Sequence, residues 1–159
     1  MPSIFATAGA HVYIGGVLAS QTSDFTITDF ASESWVEISW VENMGNFGDQ
    51  SAEITFDAIG ENRTLKLKGT RNAGNMDLVC GLVADDAGQL LLRDAETNPD
   101  DYAFKVEFND APVGGTPSER YFIAKIMSVR ETLDTANNVV KLNATLGINS
   151  NIVSVAASA

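Results

Sequence analysis

The chain has one cysteine, one histidine, four prolines and only ten basic residues among 159. Each shortage excludes something. With Cys80 alone, no intramolecular disulfide forms, so the fold needs no oxidising compartment. Cys80 falls on the apolar side of an alternating run, which predicts a buried, inert thiol rather than a nucleophile. His11 has no cysteine, histidine or carboxylate at ligand spacing, so it reads as a surface or satisfied side chain. No CxxC, HExxH, P-loop or dinucleotide glycine fingerprint occurs, and no Ser/His/Asp or Cys/His grouping has motif context. The expectation is a protein without catalysis, cofactor or metal. No run approaches the about 20 apolar residues of a membrane span. The opening MPSIFATAGA has neither a basic n-region nor an apolar core long enough for a signal peptide. A chain that folds in cytosol, stays soluble and inserts in no membrane is expected.

Acidic residues number 21 against the ten basic ones, a net charge of −11. General affinity for nucleic acid or an anionic membrane surface needs the opposite sign. Two readings of the charge remain: plain solubility, or a surface that repels a polyanion. Lys66, Lys68 and Arg71 form the one local basic cluster. They could hold a phosphate, but in so acidic a chain they pair better with carboxylates, its own or a neighbour's.

What is present is alternation. Hydrophobic residues make up 45% of the chain, enough for one domain, 1–159, with a real core. The stretch Thr64–Ala95 sets the pattern. Leu65 and Leu67 alternate with Thr64, Lys66 and Lys68. Gly69 and Asn72–Gly74 break the run. Met76, Leu78, Cys80 and Leu82 then alternate with Asp77, Val79, Gly81 and Val83. Alternation predicts strands with one buried face, and the Asn/Gly cluster predicts a tight turn between them. From about Asp86, Ala87, Leu90, Leu91 and Ala95 fall on one stripe of an amphipathic helix laid against a sheet. Asp85 and Asp86 stand where its N-cap belongs.

Further strands are predicted at Ala10–Ile14, closed by a Gly15-Gly16 turn, and at Asp24–Thr28, Trp35–Trp40, Ser51–Ile59, Tyr102–Phe108, Arg120–Leu133 and Val139–Ile148. Ile152–Val155 reads as a last edge strand inside a C-terminal tail, 149–159, whose end is mobile. Thr97–Asp101 is a solvated turn and not a calcium loop, and Asn109–Ser118 is a Gly/Pro loop. About eight strands, one helix and no βαβ alternation describe a mostly β fold: an antiparallel β-sandwich flanked by one α-helix. Residues 1–8 are either a frayed terminus or an arm that docks Phe5 on a neighbour. Val41–Gln50 reads as a long hairpin loop with Met44 and Phe47 exposed near its tip. It is either a covered flap or a contact surface for another chain.

The stretch KLKGTRNAGNMDLVCGL followed by DDAGQLLLRDAE resembles the major tail tube proteins of long, non-contractile (siphovirus-type) bacteriophage tails. AHVYIGG, WVEISWVENMGNFGDQ, YAFKVEF and RYFIAKIMS extend the likeness, in order and spacing, over nearly the whole chain. The resemblance implies the tail-tube fold and assembly: hexameric rings that stack into a tube for genome delivery, with four strands per subunit completing an inter-subunit β-barrel. Twenty-four strands at about 4.8 Å spacing and about 40° tilt enclose a barrel on the order of 45–50 Å across, wider than duplex DNA at roughly 20 Å. On this resemblance the inner strands are Trp35–Val41, Ser51–Ala58 and parts of Arg120–Leu133 and Val139–Ile148. Glu37, Glu53 and Asp57 then face an acidic lumen that repels DNA in transit. Ring-to-ring contact falls to Phe5, Asn43, Met44, Asn46, Phe47 and Asp49, and pairing between subunits to Lys68 and Arg71. The implied partners are the chain itself and tape-measure, tail terminator and distal tail proteins. The implied location is the virion tail, assembled in the host cytoplasm. The inner tube of a contractile injection or type VI secretion machine shares this logic. A β-sandwich module that binds a small ligand is the alternative of another class.

Overall fold

The computed structural model describes residues 3–159; Met1 and Pro2, part of the expected arm, lie outside them. Ten strands, one α-helix and one 3-10 turn follow in order among the described residues: β1 (His11–Val17), the 3-10 turn (Ile27–Phe30), β2 (Val36–Ile38), β3 (Val41–Asn43), β4 (Gln50–Phe56), β5 (Leu65–Asn72), β6 (Asn75–Gly81), α1 (Ala87–Glu96), β7 (Tyr102–Glu107), β8 (Glu119–Thr132), β9 (Lys141–Ile148) and β10 (Val153–Val155). Every pairing is antiparallel. The main sheet runs β2-β1-β7-β8-β9-β6-β3 with β10 beside β8, and β4 and β5 form a hairpin of their own.

Alternation builds the core as expected. In β9, Leu142, Ala144, Leu146 and Ile148 are buried and the residues between them are not. In β6 the buried set is Met76, Leu78 and Cys80. The sheet curls so that these face Val12 and Ile14 of β1, Phe104 and Val106 of β7 and Phe122 of β8 across one core. Phe104 and Phe122 stack at 5.7 Å. The half-sheet β1-β7-β8 is also clad on its outer side, where Ala103, Tyr121 and Ile123 meet Phe25 and Phe30 in a second, smaller core. The strand expected at Asp24–Thr28 is therefore a capped turn. Asp29 accepts from the Thr26 N–H at 2.8 Å, which starts a 3-10 helix and sends Phe30 inward.

Five other expectations change. Gly15 and Gly16 lie inside β1, at a bulge, and not in a turn. A Cβ on Gly15 would crowd Glu33 and Trp35, and the Gly16 N–H donates to Glu33 at 2.7 Å. Trp35–Trp40 is not one strand, because the chain turns at Trp40 (φ 61°) and passes from one margin of the sheet to the other. Trp40 is consequently exposed instead of sharing the buried face of Ile38. β5 and β6 do not pair across Asn72–Gly74; β5 pairs β4, and β6 pairs β9 and β3. The helix starts at its predicted cap, with Asp86 accepting from the Gln89 N–H, but its buried stripe is Gly88, Gln89, Leu92 and Ala95. Leu90, predicted to face the sheet, is exposed. Gly88 decides this rotation. It lies so close to β2 that a Cβ there would strike the Glu37 carbonyl. The tail is not loose either, since β10 pairs β8 and Ser158 bridges Thr116.

Candidate assembly surfaces

The hairpin β4–β5 stands apart from the core. Its register sets Ile54 against Leu67 and Phe56 against Leu65, so four large apolar side chains share one face. All four are about half exposed, between 49% and 60%. The alternation in Leu65–Leu67 and Ile54–Phe56 is real, but the face it predicts as buried is open in the single subunit. A two-stranded hairpin is marginal alone, and contiguous exposed apolar surface marks a contact site.

The hairpin is also the basic part of the molecule. Residues 50–72 hold Arg63, Lys66, Lys68 and Arg71 against Glu53, Asp57 and Glu61, a net of +1, which leaves −12 for the remainder. Lys66 pairs with Glu53 at 3.2 Å and Arg71 with Asp49 at 2.6 Å. Arg71 thus finds its carboxylate within the chain. Lys68 lies opposite Glu53 in register but has no carboxylate within ion-pair distance among the described residues. The hairpin's connections pass through Gly48 (φ 144°) and Gly74 (φ 75°), both with open space where a Cβ would be. These left-handed positions favour glycine and let the chain leave the core abruptly.

The segment 41–50 is not the tip of a hairpin. Its first residues pair with β6, and the rest folds back on the core. Met44 and Phe47, expected to protrude, pack against the main core, Phe47 lying 5.7 Å from Phe122. The reversal at Gly45 (φ 66°) brings this about; its N–H donates to the Asn43 side chain, and a Cβ there would sit 2.7 Å from the Asp77 carbonyl. Asn46 is exposed, and Asp49 is held by Arg71. Phe5 is half exposed and leans on Phe108 at 6.0 Å, closing an apolar groove of about 210 Å³ that Met44 and Phe47 also line.

The three acids expected in the lumen lie on two parts of the fold. Glu37, on β2, pairs with His11 at 2.5 Å on the main sheet. Glu53 is on the hairpin, and Asp57 follows the end of β4. One surface that escaped the sequence reading is the outer side of β3-β6-β9 and the second half of β8. Its residues share that side by register: Ser128, Thr145 and Asp77 in one row, Arg130, Asn143 and Val79 in the next. Tracing that face from sequence requires knowing that a bulge between Ile126 and Ser128 flips β8. Among the described residues, no group of three or more His, Cys, Asp or Glu is placed to hold a metal ion, and no helix is long and apolar enough to cross a membrane.

No family model matches the chain, and no curated protein does. Solved structures do. A chain of the SPP1 tail tube superposes with a TM-score of 0.62 at 16% identity, over 91% of this chain and 75% of that one. A chain from the anti-feeding prophage baseplate reaches 0.70 at 12%, over 98% of both. The chain has the tail-tube fold. A chain of the sheath/tube terminator of an extracellular contractile injection system (PVC) gives 0.66 at 13%, over 98% of this chain and 99% of that one. At such identities the likeness is one of fold. The tail-tube fold accounts for the mostly β architecture and for the single helix laid on the sheet.

Proposed function

We propose that this protein is the structural subunit of a tail tube and polymerises with copies of itself. The observation that carries the reading is the hairpin β4–β5, whose apolar face is half exposed in the single subunit and whose basic side chains complement an acidic body. A second copy supplies both an apolar surface to cover and the opposite charge. In the finer reading the copies form hexameric rings stacked around a conduit for DNA in the virion tail. Assembly takes place in the host cytoplasm against tape-measure, terminator and distal tail proteins. Phe5, Asn46 and Asp49 lie at the margin of a subunit and contribute to ring stacking. Met44 and Phe47 support that margin from beneath.

Negative-stain microscopy of the concentrated chain tests this, with end-on views giving the ring symmetry. Long hollow tubes of sixfold symmetry are the expected outcome. A monomer at every concentration and salt, even when seeded with sonicated tube fragments, rejects the reading. The inner tube of a contractile system is the second reading. It is favoured by the higher TM-score and mutual 98% coverage of the anti-feeding prophage chain. A sheath coating the tubes in native particles would select it; naked tubes would select the non-contractile one.

A further inference from the structure

We infer that the N-terminal segment, residues 3–10, is a brake on assembly: it straps Phe5 over a groove that another copy must enter, and it yields when that copy arrives. The inference rests on the tube reading above. It gives Phe5 its part in ring stacking, which is to withdraw.

The strap is short and held at one point. Gly9 (φ 90°) turns the chain just ahead of β1, a left-handed position that favours glycine. Asn109 fixes the turn. Its side chain donates to the Ala8 carbonyl at 2.8 Å, and a Cβ on Gly9 would sit 2.6 Å from it. The Ala10 N–H closes the turn onto the Thr7 carbonyl at 2.9 Å. Beyond this latch, residues 3–6 make no backbone–backbone hydrogen bond among the described residues. Phe5 rests on Phe108 but stays half exposed, and Ile4 is fully exposed. A cover held by one amide and one ring is readily displaced.

Beneath it lies an apolar concavity. Met44, Phe47, Val106 and Phe108 line the groove, and about 210 Å³ beside Phe5 is unfilled. Two larger clefts elsewhere are polar: Asp24, Asp49 and Arg71 line one, and Glu42, Asn137 and Lys141 line the other. The groove is the one of the three suited to an aliphatic side chain.

The occupant is the hairpin of a second copy. At its apex the Glu61 N–H donates to the Ala58 carbonyl at 3.1 Å, which places Ile59 on the corner of a turn, fully exposed. Arg63 and Lys66 follow Ile59 in the chain. Glu42 lines the cleft on the strap's other side, and Asp110 follows the lining residue Asn109, while Arg120 lies over Phe108. Groove and hairpin root stand at opposite ends of β7. Gly74, Ile148, Ala124 and Tyr102 form one bonded row at its start, whereas Val106 and Phe108 are at its finish. Two different patches on one chain make a head-to-tail contact, the kind that propagates.

Coverage then sets the threshold for polymerising. A seat open in only a fraction of subunits weakens the apparent contact by that fraction. Loosening the strap therefore favours assembly. A Phe5 that merely glued subunits together would give the opposite sign.

Asn109→Ala and Phe5→Ser test the brake. Both side chains are exposed, so both variants should stay folded by circular dichroism. In dilute solution each should raise the fluorescence of the apolar dye anilinonaphthalene sulfonate above that of the unaltered chain. The concentration at which tubes appear, read by light scattering, should fall by about threefold or more. Ile59→Asp added to Asn109→Ala should cancel that gain. Unchanged dye fluorescence shows that nothing was uncovered and overturns the inference. So does an unchanged or higher threshold while tubes still form. A gain that survives Ile59→Asp overturns the assigned occupant. Tubes from neither the unaltered chain nor any variant remove the tube reading and the brake with it, a result told apart by the missing tubes.

Discussion

Gln89 is an amide in an apolar neighbourhood, 1% exposed, and both ends of it are used. Its oxygen accepts from the Val83 N–H at 3.0 Å, and its nitrogen donates to the Ser39 carbonyl at 3.2 Å and the Gly81 carbonyl at 2.9 Å. One side chain therefore ties the helix to the corner between β2 and β3 and to the end of β6. Gln89→Leu keeps the volume and strands three buried backbone groups, each worth about 1–3 kcal/mol and not additive. A total loss of about 2–4 kcal/mol is expected. It should appear as a lower urea midpoint with an unchanged slope. Alkaline pH offers a second check. Burial, with the Asp86 charge behind it, pushes the Cys80 thiol from 9.0 up to about 12. Burial and the adjacent Glu107 carboxylate raise Tyr13 from 10.0 to about 12, and burial and Glu119 raise Tyr121 further. The unfolded chain gives up these protons first. Stability is thus complete below about pH 9 and falls as pH climbs from there toward about 12. Denaturation midpoints from pH 8 to 11 should trace that decline, and Tyr13→Phe should flatten part of it.

The hairpin is where packing within the subunit and packing between subunits separate. Phe56→Asp and Leu67→Asp change side chains that already face water, so the free subunit's stability should move by no more than about 0.5 kcal/mol. Leu78→Ala, in the core, should cost about 2–5 kcal/mol. Only the hairpin variants should stay folded by circular dichroism and sediment as monomers where the unaltered chain polymerises. The same elements show what the sequence made legible. Strands with one buried face, such as β6, β7 and β9, could be read from alternation, as could the Asp86 cap. Partners could not. Leu65–Leu67 and Met76–Leu78 carry the same local pattern, yet the first belongs to an exposed hairpin and the second to the core. Gly88 also rotated the helix away from its predicted stripe, because the close approach of β2 outweighs the preference of Leu90 for burial. Trp40 and Gly45 hid the course of 41–50, since a reversal made by positive φ leaves no periodicity behind.

The molecule as a whole is an acidic body with a slightly basic arm, the hairpin β4–β5. If the arm seats on the body of another copy, part of that attraction is screened by salt. Raising sodium chloride from 0.1 to 1 M shortens the screening distance from about 10 to about 3 Å. The concentration needed to polymerise should rise with it, as read by light scattering. Lys66→Glu with Lys68→Glu should raise it further at low salt and leave the fold intact. A concentration threshold indifferent to both would assign the contact to the apolar face alone.

Seating each arm also settles what the finished filament shows the world. With the cationic patch covered at every joint, the exterior is left almost wholly anionic. Neighbouring filaments should hold one another off and stay dispersed in suspension, and a multivalent cation such as spermidine should draw them into parallel bundles.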